Sequence, residues 1–297
     1  MKLYAPGYYS KFKCIADKCK SSCCIGWEID IDRETLEKYR NIPSIYKTID
    51  ASDVPYFRLS EDGRCPHLDE CGLCNIINHY GEDYLAEICR EHPRYYNITA
   101  RGREVGLGLV CEEASRIVLS SDEYFPDSYI SSDDEASFDD CPDNYSLIQE
   151  IYGILSDRKI KYKDRLIGIY EKTGVSPGIY SDEYCKEVFS SCELLDESHG
   201  DLFSLYTSSI NERNTYEKEL ERFLAYLIYR HVSGAENETD IRSSLGFAFL
   251  LERLFASILN SAFCHSYDDV LNIASIISLE LEYSEDNKDN IKLEFVI

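Results

Sequence analysis

The cysteines of this 297-residue chain constrain its fold more than any other feature. Nine of the thirteen fall in the first 111 residues, in short repeating intervals: Cys14, Cys19, Cys23, Cys24, Cys65, Cys71, Cys74, Cys89 and Cys111. Two thiolates separated by two to four residues can hold one metal ion from a single turn. Cys19 with Cys23 and Cys71 with Cys74 have that spacing. We therefore expect the first third of the chain to be organised around metal.

The number of these cysteines bears on which metal they would bind. Adjacent Cys23 and Cys24 cannot easily bind one tetrahedral ion together, so we expect them to serve different ions, or one of them to be structural. Cys65 precedes Pro66, as in the Cys-Pro ending of some iron–sulfur loops. A structural zinc needs only four ligands. The surplus of thiols favours a [4Fe–4S] cluster with additional thiols or two metal sites, with zinc as the alternative.

Other potential ligands have simpler interpretations. Three histidines lie among the cysteines, and we expect surface or supporting roles for them: His67, His79 and His92. Four further cysteines are isolated in the rest of the chain, where a thiol is usually a small apolar core residue: Cys141, Cys185, Cys192 and Cys264. The C-x2-C pair Cys71 and Cys74 also permits a third hypothesis, a thiol redox switch.

The charge is unevenly distributed. The net charge is −24, of which residues 1–120 contribute −3 and residues 121–297 contribute −21. Such a field repels nucleic acid and anionic membranes and attracts basic proteins, although a solvated acidic face is the simpler explanation. We find neither a signal peptide nor an apolar run of about 18 residues. We therefore expect a cytoplasmic protein with no membrane or nucleic-acid partner, in a compartment where disulfides are rare.

The sequence pattern predicts a mainly α fold. Asp32 is expected to cap a helix over Glu34–Tyr46 that is interrupted near Pro43, and Glu82–Glu91 is expected to be one helix. Segments 95–100 and 104–111 predict a short β-hairpin. Beyond a Ser- and Asp-rich linker we expect an acidic all-α domain, with helices over residues 145–156, 162–172, 181–197, 214–233, 241–260 and 266–281. The predicted domains are 1–130, irregular and Cys-rich, and 131–297, helical.

One of these helices shows the amphipathic pattern clearly. In segment 214–233, apolar residues recur at intervals of three and four along one side: Phe223, Leu224, Leu227, Ile228 and His231. This spacing predicts a helix with one apolar face.

The ordered cysteine motifs resemble a known family. The run from Cys14 to Trp27 reads C-x4-C-x3-C-C-x-G-W, and it is followed by CPHLD from Cys65, GLCNI from Gly72, GEDYL from Gly81, CREHPR from Cys89 and LVCEEASR from Leu109. Together these motifs resemble the flagellin lysine-N-methylases. The front part is similar to a broader cysteine-rich domain described as zinc- or iron-chelating. The resemblance extends over roughly the first 120 residues.

The resemblance implies an iron–sulfur protein, with a [4Fe–4S] cluster, that transfers methyl groups from S-adenosylmethionine to lysine side chains of flagellin. The family's cysteines match eight positions of this chain: Cys14, Cys19, Cys23, Cys24, Cys65, Cys74, Cys89 and Cys111. Cys71 stands where the family usually has another residue. The family pattern also favours proline where this chain has Glu112. S-adenosylmethionine binding comes from the resemblance alone, since no Rossmann-type glycine loop and no C-x3-C-x2-C loop is visible.

Lysine methylation requires a neutral amine, which a general base or a desolvated pocket can supply. Glu82, Asp83, Tyr84 and Glu112 lie beside cysteine motifs and are the candidates, although capping and packing are the commoner roles of such residues. The acidic second half favours docking of a lysine-bearing protein. The alternative hypothesis is a non-catalytic zinc- or iron-binding module that docks a basic partner.

Overall fold

The fold was determined as a computed structural model, and the structure describes residues 2–20, 22–130, 141–208, 216–261 and 263–296. The chain forms two compact units. The cysteine-rich unit consists of Lys13–Arg94 and Cys111–Glu113, and the helical unit consists of Met1–Phe12, Tyr95–Val110 and Ala114–Ile297. The hairpin from Tyr95 onward and the following helix from Ala114 onward belong to the helical unit. Separate domains 1–130 and 131–297 stay a prediction, and part of the predicted linker (131–140) lies outside the described residues.

The regular elements are mostly helices. The strands are β1 Leu3–Ala5, β2 Ile49–Asp50, β3 Tyr56–Phe57, β4 Arg94–Thr99, β5 Gly102–Leu107 and β6 Ser128–Ile130. The α-helices are α1 Arg33–Arg40, α2 Pro43–Tyr46, α3 Asn75–Tyr80, α4 Glu87–Glu91, α5 Glu112–Ser120, α6 Tyr145–Leu155, α7 Tyr162–Thr173, α8 Asp182–Ser190, α9 His199–Phe203, α10 Glu217–Val232, α11 Glu238–Leu259, α12 Tyr267–Ile277 and α13 Glu285–Leu293. The expectation of a mainly α fold with few strands is confirmed.

The cysteine-rich unit has a small apolar core. Its buried side chains come from loops, short helices and the β2–β3 ladder: Ile29, Ile31, Tyr39, Ile45, Ile49, Phe57, Cys65 and Ile76. Burial of this set supplies the hydrophobic stabilisation of a unit with little regular structure. Cysteines pack against the same core, so the thiols and the apolar side chains share one interior.

Asp32 connects two helices of this unit. Its Oδ1 accepts a hydrogen bond from the Thr35 N–H at 2.9 Å, which caps α1 as predicted, and α1 ends before Pro43 begins α2. Its Oδ2 accepts from the Glu87 N–H at 2.9 Å, at the start of α4. Burial alone would raise the pKa of the Asp32 carboxyl, but these hydrogen bonds lower it below its ordinary value. One side chain therefore caps both helices.

The predicted single helix over Glu82–Glu91 is wrong. The segment forms a 3-10 turn at Glu82–Tyr84, an extended stretch at Leu85 and Ala86, and the short helix α4. A distant residue contributes to this break, since the Asp32 carboxylate accepts a hydrogen bond from the Glu87 N–H at the start of α4. As a result, Cys89 lies on a five-residue helix whose start is fixed by Asp32.

The helical unit contains the only sheet of more than two strands among the described residues, in the order β4-β5-β1-β6. The predicted hairpin is present as β4 and β5, although β5 begins at Gly102 and ends at Leu107, earlier than predicted. β1 lies parallel to β5, with Leu3 opposite Arg103, and antiparallel to β6. Sequence periodicity did not indicate that β1 and β6 would extend the hairpin, because both strands are only three residues long.

The helices α10 and α11 form the centre of this unit. Four of the five residues predicted for the apolar face of α10 are buried, and burial extends to all sides of the helix from Leu220 to Tyr229. Its two buried charges are paired. Glu221 accepts from Arg165 at 2.6 Å and from Arg158 at 2.9 Å, and Arg222 donates to Asp122 at 2.7 Å. Ion pairing thus lets charged residues lie inside the bundle.

The remaining predicted helices are present with shifted ends. Segment 181–197 forms a helix only over α8, since the chain turns after Ser190. Segment 266–281 is α12, which opens with a Ser266–Asp269 capping box, followed by a π-helix over Ser278–Glu282. None of the helices in the described part of the chain combines the length and apolar character that a membrane span requires.

Candidate metal centre

The eight predicted ligands all belong to the cysteine-rich unit, and they fall into two groups. The first thiol group consists of Cys14, Cys19, Cys23 and Cys111. The second thiol group consists of Cys24, Cys65, Cys74 and Cys89. None of the thirteen cysteines, all of which are described, forms a disulfide. Cys23 is assigned to the first group and Cys24 to the second, although a hydrogen bond joins their thiols. That they serve different ions, or that one of them is structural, stays a prediction.

The first thiol group forms where α5 begins. A 3-10 turn at Ala16–Lys18 separates Cys14 from Cys19, and the Ala16 N–H donates to the Cys14 Sγ at 3.4 Å. A hydrogen bond with Cys24 raises the pKa of the Cys23 thiol. Partial burial and the charges of Cys111 and Cys14 raise this pKa further. These three thiols therefore lie within electrostatic reach of one another.

Glu112 joins Cys19 to this group. The Glu112 Oε2 accepts from the backbone N–H of Lys20 at 2.6 Å and from the Cys19 Sγ at 3.6 Å. Since Glu112 follows Cys111 directly, the two bonds bring the loop of Cys19 to the start of α5. The candidate catalytic residue Glu112 is thus placed at the thiols, where its visible role is to position them.

The second thiol group is assembled by backbone hydrogen bonds between turns. The Cys65 N–H donates to the Cys24 carbonyl at 2.8 Å, which joins the first cysteine segment to the Cys-Pro turn. Leu68 and Cys74 form an antiparallel bridge, and the Asn75 N–H donates to the His67 carbonyl at 2.8 Å. The turn around Gly72, whose φ is +80°, completes the reversal that brings Cys74 back.

The environment of the second thiol group is apolar and electrostatically coupled. Cys65 is buried in the core of the unit, and Cys24, Cys74 and Cys89 pack against that core. Burial raises the pKa of Cys89 to about 12 and of Cys65 to about 11, and in each case neighbouring thiolates of the group add to the shift. Four thiolates so close together would repel one another, so their ionised form needs a bound cation.

Two residues that the sequence analysis did not single out, Arg64 and Tyr39, also affect this group. Cys24 has a pKa of about 7, lowered first by its hydrogen bond with Cys23 and further by Ser22 and the charge of Arg64. Arg64 could have been identified from the sequence, because it directly precedes Cys65. Tyr39 is the second. Burial, followed by the charges of Cys89 and Cys74, raises the pKa of its hydroxyl, which places Tyr39 beside these thiols.

The three histidines have partners other than the thiols. His67 is buried, packs edge-on against Phe57, and its Nε2 lies 3.0 Å from the Thr48 hydroxyl. Burial lowers the pKa of His92 to about 4, and its ring packs edge-on against Trp27. On α3, the His79 Nδ1 lies 2.8 Å from the Asn75 carbonyl oxygen and donates to it.

The other predicted site residues lie on exposed turns. Cys71 is exposed, and its N–H donates to Asp69 at 2.9 Å. Glu82, Asp83 and Tyr84 are exposed on the 3-10 turn, and the Tyr84 carbonyl accepts from the Tyr39 hydroxyl at 2.5 Å. Tyr84 is therefore connected through Tyr39 to the second thiol group, whereas the carboxylates of Glu82 and Asp83 face solvent.

The thiols are grouped, but they do not form a complete set of metal ligands. Across the described ranges, no three cysteine, histidine, aspartate or glutamate side chains are arranged so that they could hold a metal ion as they stand. The donor set nevertheless fits a thiolate-preferring metal, because each group offers four thiols. Metal binding by these eight cysteines stays a prediction.

A cofactor loop is not apparent in the glycine-rich part of β5 and its end. A Cβ at Gly106 would overlap the Tyr95 ring, and one at Gly108 would overlap the Tyr283 hydroxyl. The tyrosines therefore fill the space that a phosphate or ribose would need. Elsewhere in the helical unit, a cavity of about 750 Å³ lies between α8 and α9, and none of the predicted site residues lines it.

Comparisons with known proteins confirm the family relationship indicated by the cysteine motifs. The chain is 26% identical over 127 residues to a lysine-N-methylase of Salmonella typhimurium and, to the same extent, to one of Salmonella choleraesuis. It is also 26% identical over 127 residues to the flagellar biosynthetic protein FliU of Salmonella muenchen. Each match covers 39% of this chain. No family model and no solved structure matches the chain.

The extent of these matches differs between the relatives. The chain spans 32% of the length of each lysine-N-methylase and 75% of the length of FliU. The relationship therefore concerns one part of this chain and about a third of the methylases.

Proposed function

We propose that this protein binds an iron–sulfur centre through its two thiol groups and takes part in the methylation of lysine side chains on flagellin or a similar protein, with S-adenosylmethionine as the methyl donor. The observation that carries the proposal is the packing of Cys24, Cys65, Cys74 and Cys89 in one small apolar core, in a chain related to lysine-N-methylases. The names of those relatives support a methylase-like role.

The chain's own residues would hold the centre from two sides. The turns around Cys65 and Cys74 are fixed to each other by backbone hydrogen bonds, and Asp32 fixes the start of the helix that bears Cys89. The apolar core beneath the second thiol group excludes water from that side. An iron–sulfur cluster supplies a site for electron transfer or for binding the donor, and [4Fe–4S] clusters take four thiolates. Zinc is the alternative metal.

Two experiments test this function. The protein is purified anaerobically, and iron, acid-labile sulfide and zinc are measured together with the visible absorption spectrum. It is then incubated with S-adenosylmethionine and flagellin, and flagellin peptides are examined by mass spectrometry for added methyl groups on lysine. Cluster-bearing protein that leaves flagellin lysines unmodified under these conditions contradicts the methylation proposal and leaves the metal proposal intact.

A second candidate function is a non-catalytic metal-binding module that docks a basic partner. The observation that favours it is the coverage of the match, which spans only 32% of each lysine-N-methylase. Near-stoichiometric zinc without iron in anaerobically purified protein, together with absent methyl transfer, supports this second function over the first.

A further inference from the structure

The exposed surface beside the second thiol group combines aromatic rings with acidic side chains. It consists of Ile77 and Tyr80 on α3 and of Glu82, Asp83 and Tyr84 on the turn that follows, and we refer to these five residues as the tyrosine–acid patch. The whole patch belongs to the cysteine-rich unit.

The turn geometry brings the two tyrosines together. α3 ends at Gly81, whose φ of +92° lies in the left-handed region that favours glycine. The chain then reverses through the 3-10 turn, and the ring centroids of Tyr80 and Tyr84 come within 5.6 Å at an interplanar angle of 42°. The two rings therefore form an open corner and do not stack flat on each other.

Hydrogen bonds hold the Tyr80 hydroxyl and the Tyr84 backbone, and both rings remain partly exposed. The Tyr80 hydroxyl lies 3.2 Å from that of Ser44, and the Tyr84 carbonyl accepts from the buried Tyr39. The side chains remain partly exposed, at 39% for Tyr80 and 36% for Tyr84. Ile77 is one helical turn before Tyr80, is 39% exposed, and adds an aliphatic surface to the same face of α3.

Among the described residues, no cation pairs with the acidic side chains of the patch. Within the described residues, neither Glu82 nor Asp83 forms a side-chain hydrogen bond or an ion pair, although both lie on the turn between the two rings. A surface with this composition complements a side chain that is aliphatic along its stem and positively charged at its end. Tyrosine faces attract an ammonium group, and carboxylates add to the attraction.

We infer that the tyrosine–acid patch docks a lysine side chain of a protein partner, next to the second thiol group. Tyr39 connects the two, since its hydroxyl donates to the Tyr84 carbonyl and its side chain belongs to the small core against which the thiols of the second group pack. This inference rests on the proposed function, for which it identifies the surface that receives the substrate. A lysine held on the patch lies one buried side chain away from the thiols.

Direct binding tests the inference without methyl transfer. The probe is a fluorescein-labelled peptide with three lysines in a Gly-Ser background, and its affinity for the full chain is measured by anisotropy at low salt. We expect the double variant E82Q/D83N and the double variant Y80L/Y84L each to weaken binding about threefold to tenfold. Leucine keeps the apolar surface and removes the ring faces.

Control measurements isolate the patch. The variant D53N/E61Q removes two exposed charges elsewhere in the same unit and should bind the peptide as the wild type does. A norleucine peptide, which lacks the ammonium group, should not bind. The fluorescence of Trp27 reports whether each variant is folded. If Y80L/Y84L fails to fold, E82Q/D83N still tests the patch, because it alters only solvent-exposed side chains.

Three results would overturn the inference. One is unchanged lysine-peptide binding in both patch variants, another is an equal loss in D53N/E61Q, and the third is equal binding of an arginine peptide, which would indicate a general cation site. Because the assay contains no methyl donor, its outcome can be distinguished from that of the methylation experiment. If the protein binds lysine through the patch but does not methylate flagellin, the proposed function is contradicted and this inference is not. If the protein methylates flagellin but the patch variants bind the peptide as the wild type does, only this inference is contradicted.

Discussion

Removing the Asp32 carboxylate should destabilise the cysteine-rich unit through the loss of two helix caps, whose contributions can be measured separately. Asp32 caps α1 through Thr35 and α4 through Glu87, each at 2.9 Å. Loss of one cap costs about 1 kcal/mol, so the variant D32A, which loses both, should cost about 2 kcal/mol. The variant D32N can still accept one hydrogen bond through its oxygen, but its NH₂ group cannot accept the other. We expect D32N to cost about half as much as D32A.

The assay uses the single tryptophan of the chain. Trp27 lies in the cysteine-rich unit, with its ring centroid 5.3 Å from that of His92, so its fluorescence reports unfolding of this unit. Urea titrations then give the free energies of unfolding of the wild type, D32N and D32A. The control is N237A, which removes the cap of α11 in the helical unit. It should leave the Trp27 transition unchanged.

The pH dependence gives an independent check of the same residue. The folded-state pKa of Asp32 is lowered, so its contribution to stability is fully present above the unfolded value of about 4 and is lost as the pH falls through the folded value. The difference between wild type and D32A should therefore shrink below about pH 4. Identical midpoints for D32A and wild type at neutral pH, or a difference that grows on acidification, would refute the double-cap reasoning.

Two further predictions concern the helical unit. The variant E221Q should lower the free energy of unfolding by about 3–5 kcal/mol, because it leaves two arginines without their buried carboxylate; E150Q, at an exposed pair, should cost less than about 1 kcal/mol in thermal melts followed by circular dichroism. The variant G106A should cost about 1–3 kcal/mol because its Cβ would overlap the Tyr95 ring. Its control G153A, with open space in α6, should be neutral or stabilising, and equal effects at both glycines would contradict the packing argument.

The sequence predicted the helices well where local signals decided their position. Asp32 before Glu34 and the Ser266–Asp269 pair are side-chain caps that act within four residues, and both helices start there. The central position of α10 was not predictable, because it buries the charged residues Glu221 and Arg222, and such residues are rarely buried unless they are paired. Their partners Arg165 and Asp122 lie 56 and 100 residues away in sequence.

The sequence indicated which residues to expect at the candidate site but not how they are arranged. The family resemblance pointed to the eight cysteines, and their metal binding stays a prediction. Sequence spacing added only the expectation that Cys23 and Cys24 serve different ions. It could not show that Cys24 would join Cys65, because that contact depends on a backbone hydrogen bond between distant loops. The second cap of Asp32 was missed for the same reason, since Glu87 is 55 residues away.

The central claim, that the two thiol groups bind metal, is tested most directly by metal analysis of matched variants purified anaerobically. We predict stoichiometric iron and acid-labile sulfide in the wild type and in the variant C192A, whose cysteine lies in the helical unit. We also predict loss of metal in C65A and C89A, with a destabilised cysteine-rich unit, because metal binding is coupled to folding. Wild-type protein without iron or zinc, or equal metal loss in C192A and C65A, would contradict the claim.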